Sequence, residues 1–179
     1  MCLLPFIDRW GNVKKLLIIR SVSFQQLDHN LKAIKDKFPE HEIHLLTHEH
    51  GKKLAEKYKD IKQIWIYPYK EGFGYTRKCL DLKDEYFDVV IVPCTNLSGT
   101  GFINVFLFSL SIHAKERYKC NLISEIKAFS KVQVMFWWIR SQVFKIISLC
   151  LSGIVGTIGF GIFFLCKALG KLRLHKSRS

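Results

Sequence analysis

Side chains suited to chemistry gather in three places along this chain. The first follows a short apolar run, where Arg20, Ser21, Ser23, Gln25 and Gln26 come close together. A helix N-terminus with such hydroxyls can bind an anion or sugar hydroxyls. The reading of Ser23 as a simple helix cap is preferred. No glycine occurs in the turn 21–26, and neither a Walker A sequence nor a GxGxxG follows the run. A backbone cradle for phosphate is therefore not expected there. The second place is the loop 93–101, PCTNLSGTG, with Thr95, Asn96, Ser98 and Thr100. Small hydroxyls and amides suit hydrogen bonding to a polyol, and the same residues suit an ordinary turn. The third is His41, His44, His48 and His50. They lie along and at both ends of one predicted strand, so they point apart and no metal site is expected. HEIH and HEHG are not the helical HExxH pattern. No Ser/His/Asp or Cys/His arrangement emerges from the spacing, and no cofactor is expected.

The elements that must position these groups read as an alternation. The run Leu16, Leu17, Ile18, Ile19 is apolar throughout, as in a strand buried on both faces. Residues 25–38 have helical spacing, with Leu27, Leu31, Ile34 and Phe38 on one side and Pro39 ending the helix. Strands are predicted over 42–47, 63–67 and 88–92, with a further short one over 116–120. Helices are predicted over 49–59 (Leu54, Ala55 and Tyr58 inward), 75–86 (Cys79, Leu82 and Tyr86 inward) and 102–112. This order predicts an α/β fold with a parallel, Rossmann-like sheet and helices on both faces. In such sheets ligands gather at the carboxyl ends of the strands, where Arg20 and the loop 93–101 fall.

The net charge of +13 is uneven. Residues 1–114 hold 16 Lys/Arg against 13 Asp/Glu, residues 115–145 hold 7 against 2, and residues 167–179 hold 5 against 0. The excess flanks residues 146–166, 21 uncharged residues, about the number that crosses a bilayer as a helix. Anionic lipid is the expected partner of the basic residues, and nucleic acid is not, since no nucleic-acid motif is present. Residues 131–145 read as an interfacial helix with Trp137 and Trp138 at headgroup level and Arg140 and Lys145 set among apolar residues. Gly153, Thr157 and Gly161 form a small-residue stripe suited to close helix contact, or reflect the frequency of glycine in membrane helices. A single span and a re-entrant hairpin bent near Gly153 and Gly156 are both open, the span preferred. The basic tail 167–179 is expected to be irregular. The six cysteines make no CxxC pair and suit reduced thiols facing a cytosol-like compartment. The lead 1–12 is apolar but meets Asp8 and Arg9 at once, so it is a poor signal peptide.

KKLLIIR, a polar turn, a helix running into KFPEHEIHLLT, then FDVVIVPCTN resembles the N-terminal half of family 9 glycosyltransferases, the heptosyltransferase-like enzymes of lipopolysaccharide assembly. The likeness covers residues 13–121. It implies that residues 13–130 form the acceptor-binding half of a GT-B fold, whose other half binds a nucleotide-sugar donor. It also implies a lipid-linked or sugar acceptor held by Arg20, Ser21, Ser23, Gln25, Gln26, Asn96, Ser98 and Thr100. The family's turn carries Gly-Asp where this chain has Gln25 and Gln26, and its aspartate is the proposed general base. Glutamine does not accept a proton at neutral pH, which leaves Asp28 as the nearby carboxylate. The helix is about one turn short, and the donor half is replaced by the apolar segment. The resemblance thus implies a protein anchored in the cytoplasmic membrane, its domain facing the cytoplasm, that binds an acceptor and needs a partner chain for the donor. A non-catalytic membrane adaptor and a truncated remnant are the alternatives.

Overall fold

The computed structural model describes residues 13–77 and 79–176, so the expectations for the lead 1–12 lie outside the described residues. Strand β1 (Lys14–Ile19) is the centre of the sheet, and its last four residues are fully buried. Strand β2 (His41–His48) pairs with it in parallel on one side and β4 (Tyr86–Pro93) on the other. Beyond them lie β3 (Ile61–Tyr67) and β5 (His113–Cys120), both parallel to their neighbours. A three-residue strand β6 (Ile126–Ala128) closes the β5 edge antiparallel. The order is β3-β2-β1-β4-β5-β6, so the winding direction reverses between β1 and β4. A mixed α/β chain with a six-stranded, mostly parallel sheet is thus the observed fold.

Why these segments fold so follows from the side-chain pattern. Leu16, Ile18, Leu45, Val89 and Ile91 share one face of the sheet, and helix α1 (Phe24–Lys37) buries Leu27, Leu31 and Ile34 against them. Because strand side chains alternate, Leu17 and Ile19 turn to the other face. Helix α3 (Ile103–Ser109) supplies buried Phe106 and Phe108, and Phe108 meets Tyr67 and Phe73 with ring centroids 5.3 and 5.2 Å apart. A strand buried on both faces needs an unbroken apolar run, which is what β1 and β4 provide.

Several connections differ from the sequence expectation. The helix expected over 49–59 is a 3-10 turn (Glu49–Gly51) followed by one helical turn, α2 (Lys52–Ala55), and Leu54 is 45 % exposed. Only Ala55 is fully buried there, too little apolar surface to hold a longer helix. The helix expected over 75–86 is absent: Cys79 and Leu82 are buried as anticipated, but around a single 3-10 turn (Leu80–Leu82). Tyr86 instead opens β4, pairs with His113 and is 56 % exposed. The backbone of β5 draws β4 out by two residues, and ladder pairing overrides the helical spacing. β5 likewise begins three residues earlier than 116–120.

The chain divides into two compact units between Met135 and Phe136. The C-terminal element is one helix, α4 (Lys131–Lys176), 46 residues long. Ser130 and Gln133 start it with reciprocal bonds, Gln133 N–H to Ser130 Oγ at 3.2 Å and Ser130 N–H to Gln133 Oε1 at 2.9 Å. The interfacial helix 131–145 and the apolar segment 146–166 are therefore a single element, and the basic segment 167–176 continues it rather than being irregular. The helix runs unbroken through Gly153 and Gly156, so the re-entrant hairpin is not formed. No proline interrupts it, and isolated glycines weaken a helix without breaking it. Its stretch Lys131–Gly161 is long and apolar enough to cross a membrane, with a window of mean hydropathy 1.9 and none of that window buried.

Candidate functional site

The winding direction reverses between β1 and β4, and in open parallel sheets ligands gather at the carboxyl ends of the strands beside such a reversal. Arg20 is the first residue past β1. Its backbone N–H donates to Leu46 O at 2.9 Å, and its Nε–H donates to Thr47 Oγ1 at 2.7 Å. Nη1 donates to Val22 O at 3.1 Å, Nη2 lies 3.2 Å from His50 Nε2, and the guanidinium sits 4.7 Å over the Phe24 ring. Burial pulls its pKa down from the usual arginine value. Guanidinium remains protonated in proteins, so a cation without a carboxylate among these partners stands at the end of the central strand. Gly51 makes room for it, since a Cβ there would collide with Thr47 Oγ1 and crowd the guanidinium.

The other residues of the turn are engaged more locally. Ser21 Oγ donates to Pro93 O at 2.6 Å and so ties the end of β1 to the end of β4. Ser23 is the N-cap of α1 and accepts from Gln26 N–H at 3.3 Å. Gln25 is exposed. Gln26 Nε2 donates to Asn30 Oδ1 at 2.9 Å and to Leu122 O at 3.1 Å, joining α1 to the turn after β5. A neutral amide used as a double donor has no capacity to take a proton. Asp28 is exposed and accepts a hydrogen bond from the Tyr58 hydroxyl, whose pKa burial and Asp28 push up to about 12.

The loop after β4 closes on itself. Asn96 Nδ2 donates to Thr100 O at 2.7 Å, Gly99 N–H donates to Asn96 Oδ1 at 2.6 Å, and the Ser98 and Thr100 hydroxyls share a bond of 2.6 Å. Gly99 has φ +82° and lies against Phe106, a place only glycine fills without strain. Lys119 Nζ donates to Ser98 O at 3.1 Å. These bonds tie Arg20 to β2 and the loop to β5, and Ser21 and Gln26 bridge the two halves. Cys94, at the start of this loop, and Cys120 are buried thiols with pKa values pushed up to about 12 and about 11, which leaves them protonated and poor nucleophiles.

The remaining candidates sit elsewhere. Trp138, Arg140, Lys145, Gly153, Thr157 and Gly161 are exposed on α4, and Trp137 is half-buried. Arg140 lies 5.5 Å from the Phe144 ring, and Thr157 Oγ1 donates within the helix to Ile154 O at 2.8 Å. Of the histidines, His44 is buried mid-strand, with Trp65 Nε1–H donating to its Nδ1 at 3.4 Å, while His48 and His50 stack at 5.5 Å. Among the described residues no group of three or more His, Cys, Asp or Glu side chains is placed to hold a metal. A groove of about 660 Å³ opens at the other end of the sheet, at the amino ends of β2 and β3, lined by Lys35, Phe38, His41, Glu42, Asp60 and Lys62. Its charges pair across it, Lys35 to Asp60 at 2.5 Å and Lys62 to Glu42 at 3.9 Å, so it reads as a solvated ion-pair surface.

Sequence reasoning missed Thr47, His50 and Asn30 as partners of the turn, and it missed Arg117 altogether. Asn30 is fully buried, accepts from Gln26 and Ser124, and keeps its Nδ2 without a partner among the described residues. Arg117 is a buried cation that closes the end of α3 through three backbone carbonyls. Period 2 groups Arg117 with His113, Lys115 and Lys119 on a polar face, so the sequence carries no signal that it turns inward. No family model, curated protein or solved structure matches the chain.

Proposed function

We propose that the chain is a membrane-anchored, acceptor-side module of glycosyl transfer in cell-envelope polysaccharide or lipopolysaccharide synthesis. In this reading the sheet is Rossmann-like and corresponds to the acceptor half of a GT-B fold. The observation that carries the reading is the strand order, which reverses between β1 and β4 and sets Arg20 beside the open carboxyl end of the central strand. A lipid-linked or sugar acceptor would meet the Arg20 cation, the exposed Gln25 amide and the hydroxyls of Ser98 and Thr100. Helix α4 would hold the domain at the cytoplasmic membrane, close to such an acceptor. In this reading the nucleotide-sugar donor would be supplied by a partner.

The position that the family resemblance gives to the general base carries Gln26, a hydrogen-bond donor to Asn30 and Leu122. This supports a module that orients an acceptor and leaves proton transfer to the partner. The same observation favours a second reading, a non-catalytic membrane adaptor that keeps the sheet as a scaffold. Deletion of the chain from its native host, followed by electrophoresis of the envelope glycans, separates the two. Shortened glycans, restored by the full chain but not by a chain ending before α4, are expected. Unchanged glycans with loss of a copurifying envelope enzyme would put the adaptor in its place. Turnover of a nucleotide sugar by the purified chain alone would contradict the proposal outright.

A further inference from the structure

Arg20 is a cation with no counter-charge among its partners. Lys14, Lys15 and Lys35 each pair with a carboxylate, as does Arg77 with Glu71. The buried Arg117 closes on three backbone carbonyls. Arg20 meets instead one hydroxyl, one carbonyl, one aromatic ring and one imidazole, and it is only half-buried. Its contacts with Val22 and Phe24 set the guanidinium against the first turn of α1, which carries no acidic residue.

The imidazole is the informative partner. Guanidinium N–H groups only donate, so His50 Nε2, 3.2 Å from Arg20 Nη2, accepts, and the ring is neutral with its proton on Nδ1. A lone pair on an exposed side chain thus stands where an anion's oxygen would stand beside this cation. Once protonated, the same nitrogen is a donor, and two cations would face each other with nothing negative between them. An anion held by both would relieve that repulsion. The charges around the pair do not supply one. The Glu49 carboxylate is exposed and is not among the partners of Arg20 or His50. Lys52 and Lys53 are exposed at the start of α2 and add positive charge. Asp28 is engaged by the Tyr58 hydroxyl, and Glu71 gives its carboxylate to Arg77 at 2.9 Å. His48 stacks on His50 and donates from Nε2 to Glu71 O at 3.2 Å, and burial pulls its pKa below the usual 6.5. Arg20 and a protonated His50 together match the double charge of a phosphoryl group, and both donate charge-assisted hydrogen bonds. We propose that Arg20 and His50 form a side-chain site for the phosphoryl group of a ligand, held between Arg20 Nη2 and His50 Nε2, and that binding is coupled to proton uptake at His50.

This inference rests on the acceptor-side reading and names the charge of the group which that reading places at the end of β1, so the test separates the two. The full chain, labelled with carbon-13 histidine and held in neutral detergent, is titrated between pH 5 and 8, where histidine changes charge, with and without sodium sulfate. Sulfate is a tetrahedral dianion whose own charge is constant over this range. It should bind about tenfold more tightly at the acid end than at the alkaline end. Because the coupling is reciprocal, the His50 signal, identified by its absence from His50→Gln, should titrate at higher pH when sulfate is present. His50→Gln should remove the pH dependence, and Arg20→Gln should weaken binding at least about tenfold. Lys115→Gln, which loses the same charge at the amino end of β5, should change neither. Binding that ignores pH in the parent chain, or a His50 signal that sulfate does not move, overturns the inference whether or not Arg20→Gln folds. Glucose 6-phosphate and a polyprenyl monophosphate mixed into the micelle are then used to displace sulfate. Displacement by the lipid alone assigns the phosphoryl group to a lipid-linked ligand, and displacement by the sugar phosphate assigns it to a soluble one. Displacement by neither overturns the phosphoryl assignment. Envelope glycans of the native host are the separate check. Glycans unchanged by Arg20→Gln, with sulfate binding lost, leave the site standing and remove it from glycosyl transfer. Glycans shortened by deletion of the chain, with no sulfate binding by the parent, overturn the site and leave the acceptor-side reading standing.

Discussion

Arg117 allows the packing argument to be tested numerically. Its side chain is 7 % exposed and donates to Ser109 O at 3.1 Å, Ala114 O at 3.2 Å and Ile112 O at 2.7 Å. Those carbonyls belong to the end of α3, the turn after it and the start of β5, and helix-end carbonyls lack intrahelical partners. Replacing it by methionine (Arg117→Met) keeps the aliphatic stem and removes all three donors. Hydrogen bonds from a charged donor contribute about 1.5–3 kcal/mol each, so the gross loss is roughly 5–9 kcal/mol. Against that stands the relief of desolvating a guanidinium, several kcal/mol. The net expectation is a destabilisation of about 2–4 kcal/mol, an increase in the unfolded population of roughly 30- to 1,000-fold. Pulse proteolysis of the full chain in detergent across a urea series measures it. With a urea dependence of roughly 2 kcal/mol per molar, the midpoint should fall by about 1–2 M. Arg117→Lys should recover only part of the loss, because one ammonium cannot span three carbonyls. A midpoint for Arg117→Met within about 0.3 M of the parent would refute the claim that this cation holds α3 to β5.

Acid should weaken the domain through buried His44 and half-buried His41. Burial pulls the pKa of His44 and of His41 below the ordinary 6.5, so between the folded and unfolded values the unfolded chain binds more protons. Stability from these groups is therefore complete above pH 6.5 and is lost as pH falls below it. His44→Phe should flatten that slope in urea midpoints taken from neutral pH downward, and an unchanged slope would assign the effect elsewhere. Gly99→Ala should cost about 1–2 kcal/mol, since φ is +82° and a Cβ would lie 3.0 Å from the Phe106 ring; thermal melting measures it. Ser23→Ala should cost about 1 kcal/mol through loss of the α1 cap, read in the same melts, and Ser23→Gly should cost less.

Much of the sheet was legible in the sequence because burial on both faces demands it. β1 and β4 read as short continuous apolar runs, the pattern of strands buried on both faces. The N-cap role of Ser23 and the turn chemistry of Asn96 and Gly99 follow from residue type alone, and the structure realises both. The segment 75–86 misled because Cys79, Leu82 and Tyr86 mimic helical spacing, whereas Tyr86 is taken by its ladder partner His113. β6 was invisible, since three residues, Ile126 to Ala128, carry no period, and only the edge of β5 gives them a place. The site was less legible than the fold. Arg20 was read correctly as a residue at the strand's carboxyl end, but its partners Thr47 and His50 come from β2 and the turn after it, a juxtaposition that only the parallel register creates. The end of α4 shows the same limit: local composition suggested separate interfacial, spanning and irregular segments, and backbone cooperativity joins them into one helix.

The central claim, an anchored acceptor-side module that works with a donor-bearing partner, is tested most directly by what accompanies the chain in its own membranes. The tagged chain, solubilised in mild detergent from the native membrane fraction and analysed by quantitative mass spectrometry, should carry one stoichiometric partner that binds a nucleotide sugar. Recovery of the chain in the soluble fraction, or alone from membranes and without a bound acceptor lipid, would contradict it.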